Sequence, residues 1–131
     1  MSSTTFSGPV TSTNGFVGAV TGGLTLSGRG TVTQITSATT TVIVNAKAGA
    51  ITTVVQNILA AGEVEFTVTN SSVAATSVVV AAIASGSTGG TSHAYVKSIS
   101  AGSFVLGIAN LHATVAETGT LVINFAVVLT S

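Results

Sequence analysis

Apolar and polar residues alternate strictly in the stretch Glu63-Val64-Glu65-Phe66-Thr67-Val68-Thr69. Successive side chains of a β-strand point to opposite faces of its sheet, so the alternation predicts a strand with Val64, Phe66 and Val68 on a core face. Both glutamates then lie on the opposite face. A second strand with the same period is predicted over residues 103–108, and its inward side chains are Phe104, Leu106 and Ile108.

The composition predicts strands throughout the chain. Its 131 residues include 20 Val, 23 Thr and 8 Ile, and β-branched side chains fit a pleated sheet better than a helix. The length fits one domain with its own core. We therefore predict an all-β fold, a jelly-roll-like antiparallel β-sandwich of about eight strands. The strands are expected at residues 31–36, 40–45, 51–55, 63–69, 78–84, 93–100, 103–108 and 120–129.

One segment carries two conflicting patterns. Apolar residues between Ile51 and Leu59 are spaced as on one face of a helix, and Gly62 could cap its C-terminal end. Four consecutive β-branched residues at 52–55 favour a strand instead. We predict the strand, and a short helical turn at residues 56–61 is compatible with both patterns.

Two strands are apolar on both faces, which predicts burial on both sides. In residues 120–129 the faces are Leu121, Ile123, Phe125, Val127 and Leu129 on one side and mainly Val122, Ala126 and Val128 on the other. Residues 78–84 show the same character. A two-sided apolar strand lies either between layers of the domain or at a subunit contact. The residues that we predict at a subunit interface are Val78, Val80, Val122, Ala126 and Val128.

Residues 1–30 differ in composition from residues 31–131, which we assign to the sandwich domain. They contain the only proline and seven of the 15 glycines, so we predict an extended, glycine-rich arm that takes part in assembly. The predicted arm contacts are Phe6, Pro9, Phe16 and Arg29. A guanidinium between two glycines could anchor the arm to a partner chain or face solvent in a turn, and the sequence leaves both open for Arg29.

The composition of the chain and the length of its apolar runs argue against several classes of function. Only Arg29, Lys47 and Lys97 are basic, too few for the cationic stripe that binds nucleic acid. The chain has no cysteine, so disulfides, thiol catalysis and cysteine-zinc sites are excluded. The longest apolar run, residues 78–84, is too short to span a bilayer as a helix. Residues 1–5 are neutral and polar, so we expect no signal peptide and a mature chain that starts near Met1.

Few residues could carry catalysis. His93 and His112 are the only candidate bases near neutrality, with Glu117 as a candidate partner, and the simpler interpretation places His93 at the start of a strand and His112 in a loop. Glu63 and Glu65 share a strand face, which is typical of a solvated edge and not of a glycosidase pair. We expect that the protein is not an enzyme and that it binds no cofactor and no metal ion. The sequon Asn70-Ser71-Ser72 is more simply a turn.

Several stretches together resemble a β-sandwich module of tailed-phage structural proteins, over roughly residues 49–128. They are residues 63–71 with 73–80, then residues 102–105 with Ile108-Ala109-Asn110, and finally Gly119-Thr120-Leu121-Val122-Ile123-Asn124-Phe125. Modules of this kind occur on capsids as decoration, or cement, proteins and also on fibres and adhesins. The resemblance implies a structural role and carries over no catalytic residue.

The leading hypothesis is a capsid decoration protein that forms a homotrimer on the head exterior and braces neighbouring capsomers. Its partners are then other copies of itself and the major capsid protein, it belongs to the virion, and it assembles in the host cytoplasm. The alternative is a receptor- or glycan-binding module of a tail fibre or spike, for which Tyr95 is the obvious aromatic platform. A self-assembling filament or surface-layer protein is a further alternative, because strand edges with few charges are templates for pairing.

Overall fold

The computed structural model describes Ser7 and residues 28–128, and every regular element in this part of the chain is a β-strand. The all-β prediction is therefore confirmed. In order, the strands are β1 (Gly30–Thr33), β2 (Val42–Ile43), β3 (Ala48–Val55), β4 (Glu63–Thr69), β5 (Val78–Ser85), β6 (Ser92–Ser100), β7 (Ser103–Asn110) and β8 (Thr120–Val128).

The strands form two four-stranded sheets that pack face to face as a β-sandwich. Sheet A has the order β1-β3-β8-β5, and sheet B has the order β2-β4-β7-β6. Neighbours are antiparallel except for the edge pairs β1–β3 and β2–β4, which are parallel. The expected antiparallel pairing holds for the other four pairs, and these two edge pairs depart from it. The chain passes from β1 to the other sheet and back to β3, and such a crossover returns it in the same direction, which a hairpin cannot do. The jelly-roll connectivity stays a prediction.

The core lies between the sheets and contains the side chains that the alternation predicted. Phe66 and Val68 of β4 are buried and Val64 packs against the core from a partly buried position. The rings of Phe104 in sheet B and Phe125 in sheet A meet with centroids 5.8 Å apart. The other predicted inward residues that the structure describes are also buried: Leu106, Ile108, Leu121, Ile123 and Val127. The predicted inward residue Leu129 lies outside the described residues.

The ambiguous segment after Ile51 is a strand, as predicted, and forms no helical turn. Strand β3 runs to Val55, and an isolated bridge then pairs Ile58 with Glu117. The register of β3 against β8 shifts between Thr52 and Val55. This bulge leaves Val55 exposed and returns Ile58 to the core. The helix-like spacing of apolar residues thus results from a strand interrupted by a bulge.

Most of the predicted N-terminal arm lies outside the described residues, so its extended form stays a prediction. The part of the chain that the structure describes contains no helix that is long and apolar enough to cross a membrane.

Candidate functional site

The outer face of sheet A brings together all five residues predicted at a subunit interface. Cross-strand pairing places Val78 opposite Val128 and Val80 opposite Ala126, while Val122 lies four residues from Ala126 on the same face of β8. About half of each of the side chains of Val78, Val80 and Val128 is exposed. Val78, Val80, Ala126 and Val128 form a continuous apolar surface across β5 and β8. Together with Val122, which lies beyond Asn124 on the same face, they make up what we call the sheet A patch.

The sheet A patch carries no charge of its own. None of the four strands of sheet A contains a charged residue. A shallow depression between β5 and β8 is lined by five apolar residues and one polar residue, Asn124: the apolar ones are Val80, Ala81, Ala82, Phe125 and Ala126. Exposed edge strands, such as β5 in sheet A, are often protected from association with other chains by charged side chains, especially Lys. The patch has no such protection, so it is suited to contact with another protein surface.

Arg29 lies next to the sheet A patch. Its Nη2 donates a hydrogen bond of 2.7 Å to Oδ1 of Asn124, which projects from the middle of β8. Asn124 pairs with Ala50 on one side and with Ala82 on the other, so small side chains surround this contact. The guanidinium is exposed and retains further donors. The other predicted arm contacts, Phe6, Pro9 and Phe16, lie outside the described residues.

The outer face of sheet B has the opposite character. Register places Glu63, Ala109 and His93 in one row across β4, β7 and β6, and Glu65, Gly107 and Tyr95 in the next row. The Tyr95 hydroxyl lies 2.9 Å from Oε2 of Glu63 and 3.0 Å from Oε1 of Glu65. Nζ of Lys97 lies 2.7 Å from Oε2 of Glu65 and forms a salt bridge with it. We call Glu63, Glu65, Tyr95 and Lys97 the Tyr95 cluster.

Gly107 makes the Tyr95 cluster sterically feasible. A Cβ atom at this position would lie 2.1 Å from Cζ of Tyr95, far inside van der Waals contact. The tyrosine side chain therefore crosses directly over β7 to reach the glutamates on β4. Sequence reasoning placed Glu63 and Glu65 together on one strand face and identified Tyr95 separately, but it did not predict their contact, because cross-strand register is set by pairing over distant parts of the chain.

Hydrogen bonding and charge shift the ionisation of the Tyr95 cluster. The hydrogen bond from Lys97 lowers the pKa of Glu65, and the same bond raises the pKa of Lys97. Desolvation of the phenol and its hydrogen bonds to the two carboxylates raise the pKa of Tyr95. Near neutral pH the cluster therefore holds a neutral tyrosine, an ionised Glu65 and a protonated Lys97.

Glu117 is a fully buried carboxylate bound by four donors. Oε1 accepts the backbone N–H groups of Thr88 and Gly119 at 2.7 and 2.8 Å, and Oε2 accepts the hydroxyls of Ser87 and Ser92 at 2.5 and 2.6 Å. Desolvation raises the pKa of Glu117, but the four hydrogen bonds have the larger combined effect and lower the pKa to about 2. This carboxylate fastens the loop after β5 to the segment that leads into β8.

Neither histidine is among the hydrogen-bond donors to Glu117 described above. His93 is an exposed residue at the start of β6, as predicted. His112 follows β7, and its Nδ1 accepts the backbone N–H groups of Thr114 and Val115. Glu117 makes its hydrogen bonds with other groups. Within residues 28–128 no three acidic, histidine or cysteine side chains are placed to hold a metal ion.

The sequon asparagine is a structural residue, as the turn interpretation predicted. Asn70 is fully buried, its Nδ2 donates to the carbonyl of Ala46 at 2.7 Å, and its Oδ1 accepts the N–H of Ser72. Its side-chain nitrogen is therefore occupied and inaccessible in the folded protein.

Comparisons of the chain with protein-family models, curated proteins and solved structures find no match. The candidate surfaces are therefore interpreted from their own chemistry.

Proposed function

We propose that this protein is a capsid decoration protein, a homotrimer whose subunits meet through the sheet A patch and whose assembled form braces neighbouring capsomers on the outside of a phage head. The observation that carries the proposal is the uncharged apolar face formed by β5 and β8. The resemblance of residues 49–128 to tailed-phage structural modules, which occur on capsids and also on fibres and adhesins, is the reason for proposing a phage particle as the place of assembly.

The energetics of the patch favour burial against another copy. Covering the exposed half of a valine side chain contributes about 1 kcal/mol, and three such side chains project from each protomer. Ordering costs offset part of this gain, so one contact of this size is weak. A lattice of many copies on one particle adds such contacts through multivalency.

Arg29 could define the orientation in which two copies meet, because burial of apolar surface alone has no directional preference. Its exposed guanidinium is fixed beside the patch by Asn124 and can donate further hydrogen bonds to carbonyl groups of a facing chain. A polar contact beside an apolar patch defines the register in which two copies meet.

The experiment is cosedimentation with empty capsids of the encoding phage. The wild type should saturate the shell at a fixed stoichiometry. Val80→Lys places a charge in the patch and should lower bound protein at least about tenfold, because an unpaired charge at a desolvated contact is costly. Thr41→Lys is the matched control, since Thr41 is an exposed residue directly before β2, the edge strand of sheet B that lies on the opposite side from β6. Wild-type protein that never sediments with capsids would refute the proposal.

A truncation tests the arm separately. Removing residues 2–27 keeps the Arg29–Asn124 hydrogen bond and all of β1, so the sandwich should fold as before. The truncated protein should lose capsid binding and retain its β-sheet circular dichroism. Undiminished binding by the truncated protein would show that the arm does not attach the protein to the shell.

A further inference from the structure

The ionisable side chains of this chain are concentrated on one surface. The sequence contains three Lys and Arg, three Glu, two His and one Tyr. Five of these nine side chains belong to or adjoin the Tyr95 cluster on sheet B: Glu63, Glu65, His93, Tyr95 and Lys97. The fold gains little from placing two carboxylates close together on an exposed face. Their arrangement places hydrogen-bond acceptors directly beside an aromatic ring.

We propose that the Tyr95 cluster binds a neutral carbohydrate, with a sugar ring stacked on Tyr95 and its hydroxyl groups bonded to the surrounding polar side chains. The site lies on sheet B and is independent of the proposed assembly through sheet A. One can therefore fail without the other.

The Tyr95 ring is held in place before any ligand arrives. Gly107 lies beneath it, and two carboxylates hold its hydroxyl at the far side of β7. The side chain is half-buried, so part of the ring stays accessible. A fixed ring loses little conformational entropy on binding, which is the advantage of a preorganised site. Aromatic surfaces of this kind stack against the apolar C–H face of a pyranose.

The polar groups around the ring have spare hydrogen-bonding capacity. A phenol has one O–H to donate, yet both Glu63 and Glu65 lie within bonding distance of it. Lys97 satisfies Glu65, and Glu63 has no salt bridge among the described residues. Glu63 can accept from a sugar hydroxyl, and exposed His93 stands in the same row.

Charge selects the class of sugar. Two glutamates and one lysine give the cluster a net negative charge, which repels sialylated, sulfated and phosphorylated glycans. Neutral hexoses and N-acetylhexosamines meet no such penalty. A site with one aromatic ring binds weakly, and several copies in one assembly would raise the apparent affinity.

The test is a two-dimensional NMR titration of the intact protein with four probes at millimolar concentration: maltohexaose, cellohexaose, mannohexaose and chitohexaose. At least one probe should shift the amide signals of the two rows around Gly107. Tyr95→Ala should weaken that binding at least about tenfold, and Tyr95→Phe, which keeps the ring, should weaken it much less. A sulfated heparin hexasaccharide should bind more weakly than the best neutral probe.

Two further variants keep the test independent of the structural role of Tyr95. Glu63→Ala, at an exposed position, should lower the affinity roughly threefold to tenfold through one lost hydrogen bond. Ser98→Ala, on the same face beyond the cluster, should leave it unchanged. The proposal is overturned if none of the four probes shifts these signals, or if the shifts persist in both Tyr95→Ala and Glu63→Ala.

Discussion

Acidification should destabilise this protein through one buried carboxylate, Glu117. Its pKa in the folded protein is about 2, against an ordinary value of 4.5 that applies in the unfolded chain. Because the folded value is the lower one, the stabilisation is fully present above pH 4.5 and is lost as the pH falls toward 2. Each pKa unit corresponds to about 1.4 kcal/mol, so the free energy of unfolding should fall by roughly 3 kcal/mol.

Two substitutions separate the charge of Glu117 from its hydrogen bonds. In Glu117→Gln, Oε1 can still accept the two backbone N–H groups, and the amide can donate to the serine hydroxyls, which rotate to accept. This variant should lack the pH dependence, and its stability should be close to that of the wild type with Glu117 protonated, because glutamine is a neutral side chain of the same shape. Glu117→Ala leaves the N–H groups of Thr88 and Gly119 without their acceptor, which costs about 1–3 kcal/mol for each.

Urea unfolding followed by circular dichroism, between neutral pH and pH 2, measures these effects. The wild type should lose roughly 3 kcal/mol more than Glu117→Gln over this range, since the remaining carboxyl groups titrate equally in both. Glu117→Ala should be the least stable of the three near neutral pH. Equal pH dependence in the wild type and in Glu117→Gln would refute the assignment of the acid sensitivity to this group.

Two glycine predictions follow from the same structure. Gly86 and Gly102 both have positive φ angles, 93° and 81°. A Cβ atom added at Gly86 would lie 1.9 Å from a backbone oxygen of β8, whereas a Cβ atom added at Gly102 would meet no atom within 4 Å. Thermal unfolding should show Gly102→Ala costing about 1 kcal/mol and Gly86→Ala clearly more, and equal losses would contradict the steric account. Gly107→Ala should displace the ring of Tyr95, the only tyrosine, and return its pKa toward 10.0. Ultraviolet titration at a pH of about 11 should then detect more tyrosinate in the variant than in the wild type, whereas identical titrations would place the ring elsewhere.

Strand positions follow from local patterns where one face of the strand is buried. Strand β4 has the predicted bounds because its alternation continues over seven residues. The predicted strand at 31–36 ends at Thr33, where the side-chain amide of Gln34 turns back to the carbonyls of Ala38 and Thr40. A glutamine that bonds its own loop leaves no signal in hydrophobic periodicity.

Sheet order and the contacts between side chains depend on information that local patterns do not contain. The two parallel pairs arise from crossovers between sheets, and the same alternation would serve an antiparallel neighbour equally well. The apolar outer face of β5 and β8 was predictable because both strands are apolar on both sides. The contact of Tyr95 with Glu63 and Glu65 was not, since it depends on β7 lying between β4 and β6 and on a glycine at the crossing.

The role of the sheet A patch in self-association is tested most directly by the mass of the free protein in solution. Light scattering across a concentration series should give three times the 12.7 kDa chain mass for the wild type and for Thr41→Lys. Val80→Lys should give the mass of a single chain with unchanged circular dichroism. A wild type that stays monomeric at every concentration, or a Val80→Lys variant that still forms the trimer, would contradict assembly through this face.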